Sequence, residues 1–72
     1  MYVLEWCRDS NNLHVQQLAQ SLESAQRAFT QNNPVRYVII GTGTHAEMLA
    51  LADQVRPIVV RRQRAIDRQE AA

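Results

Sequence analysis

The order of apolar patterns along this chain constrains its fold more than any other feature. Two segments rich in aromatic and β-branched residues, 2–8 and 35–40, each precede a segment with apolar residues at three- and four-residue steps. The first pattern is typical of strands and the second of helices. The sequence therefore predicts an α/β or α+β fold with β-α-β-α order over residues 1–57. Residues 58–72 are predicted to form an arginine-rich C-terminal helix or tail.

The first strand has two distinct faces. Side chains of successive strand residues point to opposite sides of a sheet. In the segment "YVLEWCR", one face therefore carries Tyr2, Leu4 and Trp6, and the other carries Val3, Glu5 and Cys7. The aromatic pair on the first face is either covered by the chain's own helix or open to a partner. Tyrosine and tryptophan are enriched at interface hot spots, so an open face would make Tyr2 and Trp6 binding anchors.

Residues 13–31 show a helical apolar stripe that includes Leu18, Leu22 and Phe29, with Asn12 as the predicted N-cap. The alternative is that "LHVQ" at 13–16 forms a short strand that pairs with the first strand. The sequence "QNNP" ends the helix, because a proline disfavours helical geometry in the residue before it. Two strands joined by a helix favour a right-handed parallel crossover.

Small size makes self-association an expected source of stability. A 72-residue chain has one cysteine, Cys7, so it cannot form an intramolecular disulfide. A sheet of two strands is marginal alone. Either residues 13–16 add a third strand, or a second copy extends the sheet across a homodimer.

The segment after the second strand, "GTGTHA", fits one form of the dinucleotide-binding fingerprint G-x-G-x-x-A. That fingerprint normally follows the first strand of a unit, whereas here no strand is predicted afterwards. No nucleotide or other cofactor is therefore expected. A weaker alternative is phosphate or nucleotide binding at an anion site formed by Gly41, Gly43, Thr44 and His45 at a helix start. The simplest interpretation is a tight turn followed by a capping box, T-x-x-E, from Thr44 to Glu47.

Positive charge is concentrated near the C-terminus. The net charge is +1, but residues 56–72 carry five arginines against Asp67 and Glu70, a balance of +3. Four of these arginines could contact phosphates, which predicts salt-dependent nucleic-acid binding: Arg61, Arg62, Arg64 and Arg68. Alternatively, Arg61, Arg62 and Arg64 could supply complementary charge to a protein partner. A solvated helix face explains the same residues.

Other classes of function lack their usual patterns. His14, His45, Cys7 and Asp9 do not have metal-site spacing, and paired carboxylates or a serine–histidine set are not evident. We expect neither enzymatic activity nor a bound metal. The beginning of the sequence lacks a signal-peptide pattern, and its apolar segments are too short to span a membrane. We therefore expect a cytoplasmic protein without a membrane association.

The combination of "EWCRDSNNLHVQQLAQSL" with "YVIIGTGTHAEMLALADQVRP" resembles small uncharacterised proteins of temperate phages and prophages from GC-rich bacteria. The resemblance covers about residues 2–57 and carries over no activity or site residues. It implies a setting in which a small regulator binds and redirects a host protein. The leading hypothesis is a non-enzymatic protein-interaction module that uses Tyr2, Trp6, Arg61, Arg62 and Arg64. The alternative is a nucleic-acid-binding regulator.

Overall fold

A computed structural model describes residues 1–71, with side chains through Glu70. Ala72, the end of the predicted tail, lies outside that range. The elements are β1 (Tyr2–Cys7), β2 (Asn12–Gln17), α1 (Leu18–Thr30), β3 (Tyr37–Gly43) and α2 (His45–Ala71). The strands form one antiparallel sheet in the order β2-β1-β3. The expected α+β class with a C-terminal helix is confirmed.

The β1–β2 hairpin confirms the strand alternative for residues 13–16. Leu4 pairs with Val15 and Trp6 with Leu13, so an apolar face of period two runs across both strands. The helix expected from residue 13 begins instead at Leu18, and Asn12 is a strand residue rather than its N-cap. Residues 13–16 form a strand although their spacing also fits a helix, because the strand buries apolar area of both β1 and β2 under α2.

The connection between the strands also differs from the expected parallel crossover. Strands β1 and β3 are antiparallel, with Cys7 opposite Tyr37 and Tyr2 opposite Gly43. The parallel arrangement expected for residues 2–8 and 35–40 is wrong, because β2 reverses the chain first. Helix α1 therefore joins β2 to β3, which run in the same direction on either side of β1. A register shift at Leu4 and Glu5 leaves Ile40 as the extra residue of a β-bulge.

Gly41 and Gly43 lie within β3, so the expectation that they form a turn is also wrong. A Cβ atom at Gly41 would lie 2.6 Å from Leu51 Cδ2. Glycine at this position therefore lets helix α2 approach the sheet closely. The predicted capping box is confirmed: the Thr44 N–H donates to Glu47 Oε1 at 3.0 Å, and the Glu47 N–H donates to Thr44 Oγ1 at 3.1 Å.

Helix α2 covers one face of the sheet and continues through Pro57. The buried centre is Leu4, Met48 and Ala52, and the partly buried residues packed around it are Tyr2, Leu13, Val15, Leu51 and Val55. Contacts with the sheet on both sides of Pro57 hold the helix together across the proline. The predicted division of the chain at residue 57 thus falls inside a single helix.

Helix α1 packs mainly against β2 and β1. Its buried residue is the small Ser21, whereas the larger Leu22 and Phe29 are exposed. The helix ends in a Schellman motif, in which Asn32 has φ 57° and the Asn33 N–H donates to the Ala28 carbonyl at 2.8 Å. This helix therefore presents Leu22 and Phe29 outward.

Candidate functional site

Tyr2 and Trp6 face α2, and neither side chain is fully exposed. Tyr2 packs against the buried centre, and its ring centroid lies 4.8 Å from that of His45. The face of β1 that carries Tyr2 and Trp6 is thus covered by the chain itself. The covering helix is α2 and not α1. These aromatic side chains contribute to the packing of the domain.

Trp6 takes part in a polar connection between the hairpin and α2. Its indole N–H donates to Asn11 Oδ1 at 2.9 Å, while Asn11 Nδ2 donates to the Val59 carbonyl at 3.0 Å and to Gln63 Oε1 at 3.3 Å. The Arg62 guanidinium carbon lies 4.8 Å from the centroid of the Trp6 ring, a cation–π contact. The structure therefore brings together Trp6 and Arg62, two of the predicted binding residues, within the molecule.

Arg61 and Arg64 lie on a different side of α2 from Arg62. They line a surface depression together with Asp67 and Arg68, and all four residues are exposed. A second depression joins the same two arginines to Asp53 and Arg56. The predicted arginine cluster therefore separates into one side chain on the tryptophan and a row along the exposed side of the helix.

The predicted anion site is occupied by the capping box. Glu47 accepts the Thr44 N–H, and these hydrogen bonds from Thr44 lower the pKa of the Glu47 carboxyl. The Met48 N–H donates to the Thr44 carbonyl, and His45 lies against Tyr2. An anion beside Gly43 would meet the Glu47 carboxylate, whose Oε1 would lie 3.2 Å from a Cβ on that glycine.

The candidate catalytic or metal-binding residues do not come together. Asp9 forms an exposed ion pair with Arg36 at 3.1 Å, and Cys7 is a buried free thiol. Hydrogen bonds from Ser10, first its side chain and then its backbone, lower the pKa of the Cys7 thiol. Within residues 1–71, no group of three or more histidine, cysteine or acidic side chains is arranged to hold a metal ion.

A buried carboxylate on the other face of the sheet was missed by sequence reasoning. Glu5 is 3% exposed, and Gln16 Nε2 donates to its Oε1. The Ser21 hydroxyl donates to Oε2 at 3.2 Å, and His14 Nε2 lies 3.3 Å from Oε1. A buried charge requires such partners to offset its desolvation. The alternation His14-Val15-Gln16 opposite Glu5 was the available signal, but it becomes informative only once β2 is known to be a strand.

An apolar groove lies beside Glu5, between α1 and β3. Its volume is about 210 Å³, and small residues of α1 line one side while residues around β3 line the other. The residues that matter here are Ser21, Ala25 and Ala28 from the helix, and Val35, Tyr37 and Ile39 from the strand side. Because the helix residues are small, α1 leaves the strand side chains uncovered.

The surroundings of this groove are also apolar. Phe29 is 83% exposed and lines a neighbouring depression with the half-exposed Val35. On the strand side, Tyr37 is 46% and Ile39 47% exposed. Contiguous exposed apolar surface on a small protein marks an interaction site more often than scattered apolar residues do. We define the candidate interaction surface, called the interaction surface below, as the groove together with Phe29.

No known protein family, curated protein or solved structure matches this chain. The helices in the described range 1–71 include none that combines the length and apolarity needed to cross a membrane.

Proposed function

We propose that this chain is a non-enzymatic protein-interaction module whose partner binds at the interaction surface between α1 and β3. The observation that carries the proposal is the concave apolar groove, about 210 Å³ in volume, beside the 83% exposed Phe29. An apolar side chain of a partner placed in such a groove is the usual form of an interface hot spot.

The polar floor of the groove supports binding rather than catalysis. The Glu5 carboxylate already accepts hydrogen bonds from Gln16 and Ser21 and lies beside His14. Both of its oxygens are therefore already engaged by side chains of the protein. The carboxylate instead holds β1, β2 and α1 together, which fixes the shape of the groove.

The resemblance to phage and prophage proteins makes a bacterial host protein the partner class that we propose. The interaction would place an apolar side chain of that protein against Val35, Tyr37 and Ile39, with Phe29 at the margin. Tyr2 and Trp6 lie on the opposite face of the sheet, where α2 engages them.

The test compares two serine substitutions on the same helix in affinity capture from a bacterial lysate. Phe29→Ser removes the exposed aromatic ring, whereas Gln20→Ser changes an exposed polar residue. We expect at least one host protein to be retained by the wild-type chain and by Gln20→Ser but lost with Phe29→Ser. Equal retention by all three proteins would show that the interaction surface does not bind the partner.

A second candidate function, nucleic-acid binding, is favoured by the exposed row of Arg61, Arg64 and Arg68 along α2. The logarithm of the binding constant falls linearly with the logarithm of salt concentration, and removing one arginine that binds a phosphate should reduce the steepness of that line by about 1. The measurement is fluorescence anisotropy of a random-sequence DNA duplex at low and physiological salt. Deletion of residues 60–72 would be a poor variant, because Arg62 and Gln63 contact the hairpin.

The matched variants for that measurement each remove one positive charge. Arg61→Ala alters the exposed row on α2, and Arg27→Ala alters an exposed residue on α1. If the row binds DNA, Arg61→Ala weakens binding and lowers the salt slope, while Arg27→Ala changes little. An identical effect of both variants, or no binding by the wild-type chain at low salt, would exclude a DNA site on the row.

A further inference from the structure

We propose that two copies of this chain join through the free edge of β3, giving one continuous antiparallel sheet of six strands. The two-fold axis would pass between the Val38 residues of the two copies. This inference concerns the backbone edge of the strand and does not depend on the partner proposed for the groove.

The edge of β3 lacks two of the devices that normally prevent strand pairing, charge and proline, and its β-bulge at Ile40 lies outside the residues Tyr37–Ile39 that would pair. Residues Tyr37–Gly43, "YVIIGTG", contain neither a charged residue nor a proline. Isolated proteins usually protect such edges with charges, prolines or a covering element. The other edge of the sheet, β2, carries polar residues, including Asn12, His14, Gln16 and Gln17. Pairing through β3 would leave only these polar edges exposed, so the assembly would close as a dimer.

The chain exposes more area than a compact monomer of its mass would. The accessible surface is 5451 Å² for a chain of 8.2 kDa. A compact monomer of that mass is expected to expose about 4,500 Å². The excess of about 900 Å² is close to the roughly 800 Å² per partner that a standard protein interface buries.

The small size of the core also favours self-association. Among the described residues, the buried apolar side chains are Val3, Leu4, Cys7, Met48 and Ala52. The radius of gyration is 13.8 Å, against about 11 Å expected for a compact chain of this length. A molecule with a small core is stabilised by covering exposed apolar side chains, and four of these, Tyr37, Val38, Ile39 and Ile40, lie along β3.

The hydrogen-bonding pattern of β3 sets the register of the pairing. The Arg8 N–H donates to the Arg36 carbonyl at 3.2 Å, and Cys7 lies opposite Tyr37. Because hydrogen-bonded and non-hydrogen-bonded pairs alternate along antiparallel strands, Tyr37 and Ile39 direct their backbone groups away from β1. Tyr37 of one copy can then exchange both hydrogen bonds with Ile39 of the other. That register places Val38 opposite Val38 in a non-hydrogen-bonded pair.

Pairing in this register keeps corresponding faces together. A two-fold axis perpendicular to the sheet places both α2 helices on one side and both α1–β3 grooves on the other. The grooves would then lie next to each other across the dimer centre. An apolar surface on one copy would become part of a larger one shared by two.

The first measurement is analytical ultracentrifugation of the wild-type chain between about 1 and 100 µM. This concentration range would detect even a weak, micromolar dimer. We expect a species of twice the 8.2 kDa chain mass to replace the monomer as concentration rises. A monomer throughout that range overturns the proposal. Species larger than a dimer overturn the closed pairing.

A cross-linking experiment tests the register separately. Val38→Cys is made in a Cys7→Ser background, so that the buried thiol cannot compete. Facing residues of a non-hydrogen-bonded pair have Cα atoms about 4.5 Å apart, within the range of a disulfide. The control, Leu49→Cys in the same background, places a thiol on the exposed side of α2.

We expect the Val38→Cys chains to form a disulfide dimer about ten-fold faster than the Leu49→Cys chains, because pairing raises the local thiol concentration. Equal rates combined with a dimer in ultracentrifugation would mean that the copies meet elsewhere, and would overturn the β3 pairing. Loss of partner capture by Phe29→Ser with β3 cross-linking unchanged would show that the groove and the edge act independently.

Discussion

Asn11 provides the most demanding test of how the hairpin is attached to helix α2. It has φ 56°, in the left-handed region, and its side chain is bonded to Trp6, Val59 and Gln63. Asn11→Ala removes all three side-chain hydrogen bonds. It also places an alanine in a backbone conformation that is unfavourable for that residue. We expect this single change to destabilise the protein more than most substitutions outside the apolar centre.

The expected loss in the free energy of unfolding has a backbone part and a side-chain part. An alanine in the left-handed conformation costs about 1 kcal/mol. Leaving the partly buried Trp6 indole N–H without its acceptor, and losing the bond to Val59, costs about 2 kcal/mol more. Asn11→Ala should therefore lower the free energy of unfolding by about 3 kcal/mol. Asn11→Gly avoids the backbone cost and should lower it by about 2 kcal/mol.

The chain contains its own control, Asn32. This residue has φ 57° but is exposed at the end of α1. Asn32→Ala should lose only the backbone component, about 1 kcal/mol. The free energies are measured by urea denaturation followed by far-UV circular dichroism, at one protein concentration because self-association would shift the midpoint. If Asn11→Ala and Asn32→Ala differ by less than about 0.5 kcal/mol, the side-chain connection to α2 contributes nothing and the reasoning fails.

Three further predictions concern α2 and its contact with the sheet. Gly41→Ala should destabilise the protein by about 1–3 kcal/mol through overpacking against Leu51, and much less in a Leu51→Ala background; equal costs in a double-mutant cycle would refute the close contact. Pro57→Ala should raise the melting temperature, because alanine is favoured over proline inside a helix by up to about 3 kcal/mol; an unchanged melting temperature would contradict this. The capping bonds from Thr44 lower the folded-state pKa of Glu47, so their contribution is present above its unfolded pKa of roughly 4.3 and is lost as pH falls through the folded value. The melting temperature of Glu47→Gln should accordingly lie below that of the wild type at neutral pH and converge with it in acid, and a constant difference would refute the assignment.

The local elements could be predicted from the sequence where one pattern dominated. The alternating faces of β1 and the capping box of Thr44 and Glu47 depend on neighbouring residues, and both are confirmed. The segment 13–16 was ambiguous because Val15 fits both the helical stripe that continues to Leu18 and a period-two strand. Whether this segment forms a strand or a helix depends on its pairing with Leu4 and Glu5, which lie elsewhere in the chain.

The topology and the buried carboxylate required long-range information. The direction of β3 relative to β1 depends on whether β2 reverses the chain first, and composition does not decide this. Glu5 could be assigned to a face, but its partners Gln16 and Ser21 come from β2 and α1. Likewise, whether Arg62 is a surface charge or a contact of Trp6 depends on how far α2 extends over the hairpin.

The central position of β1 affects the order in which this protein can fold during its synthesis. The β1–β2 hairpin forms from neighbouring residues, but Leu4 is covered by Met48, which comes 44 positions later in the chain. At about 5–20 residues per second, a ribosome takes roughly 2–9 s to add that intervening segment. Over those seconds the apolar face of the hairpin has no helix to cover it. A chaperone that binds nascent chains would therefore encounter the face carrying Leu4, Leu13 and Val15 before α2 does.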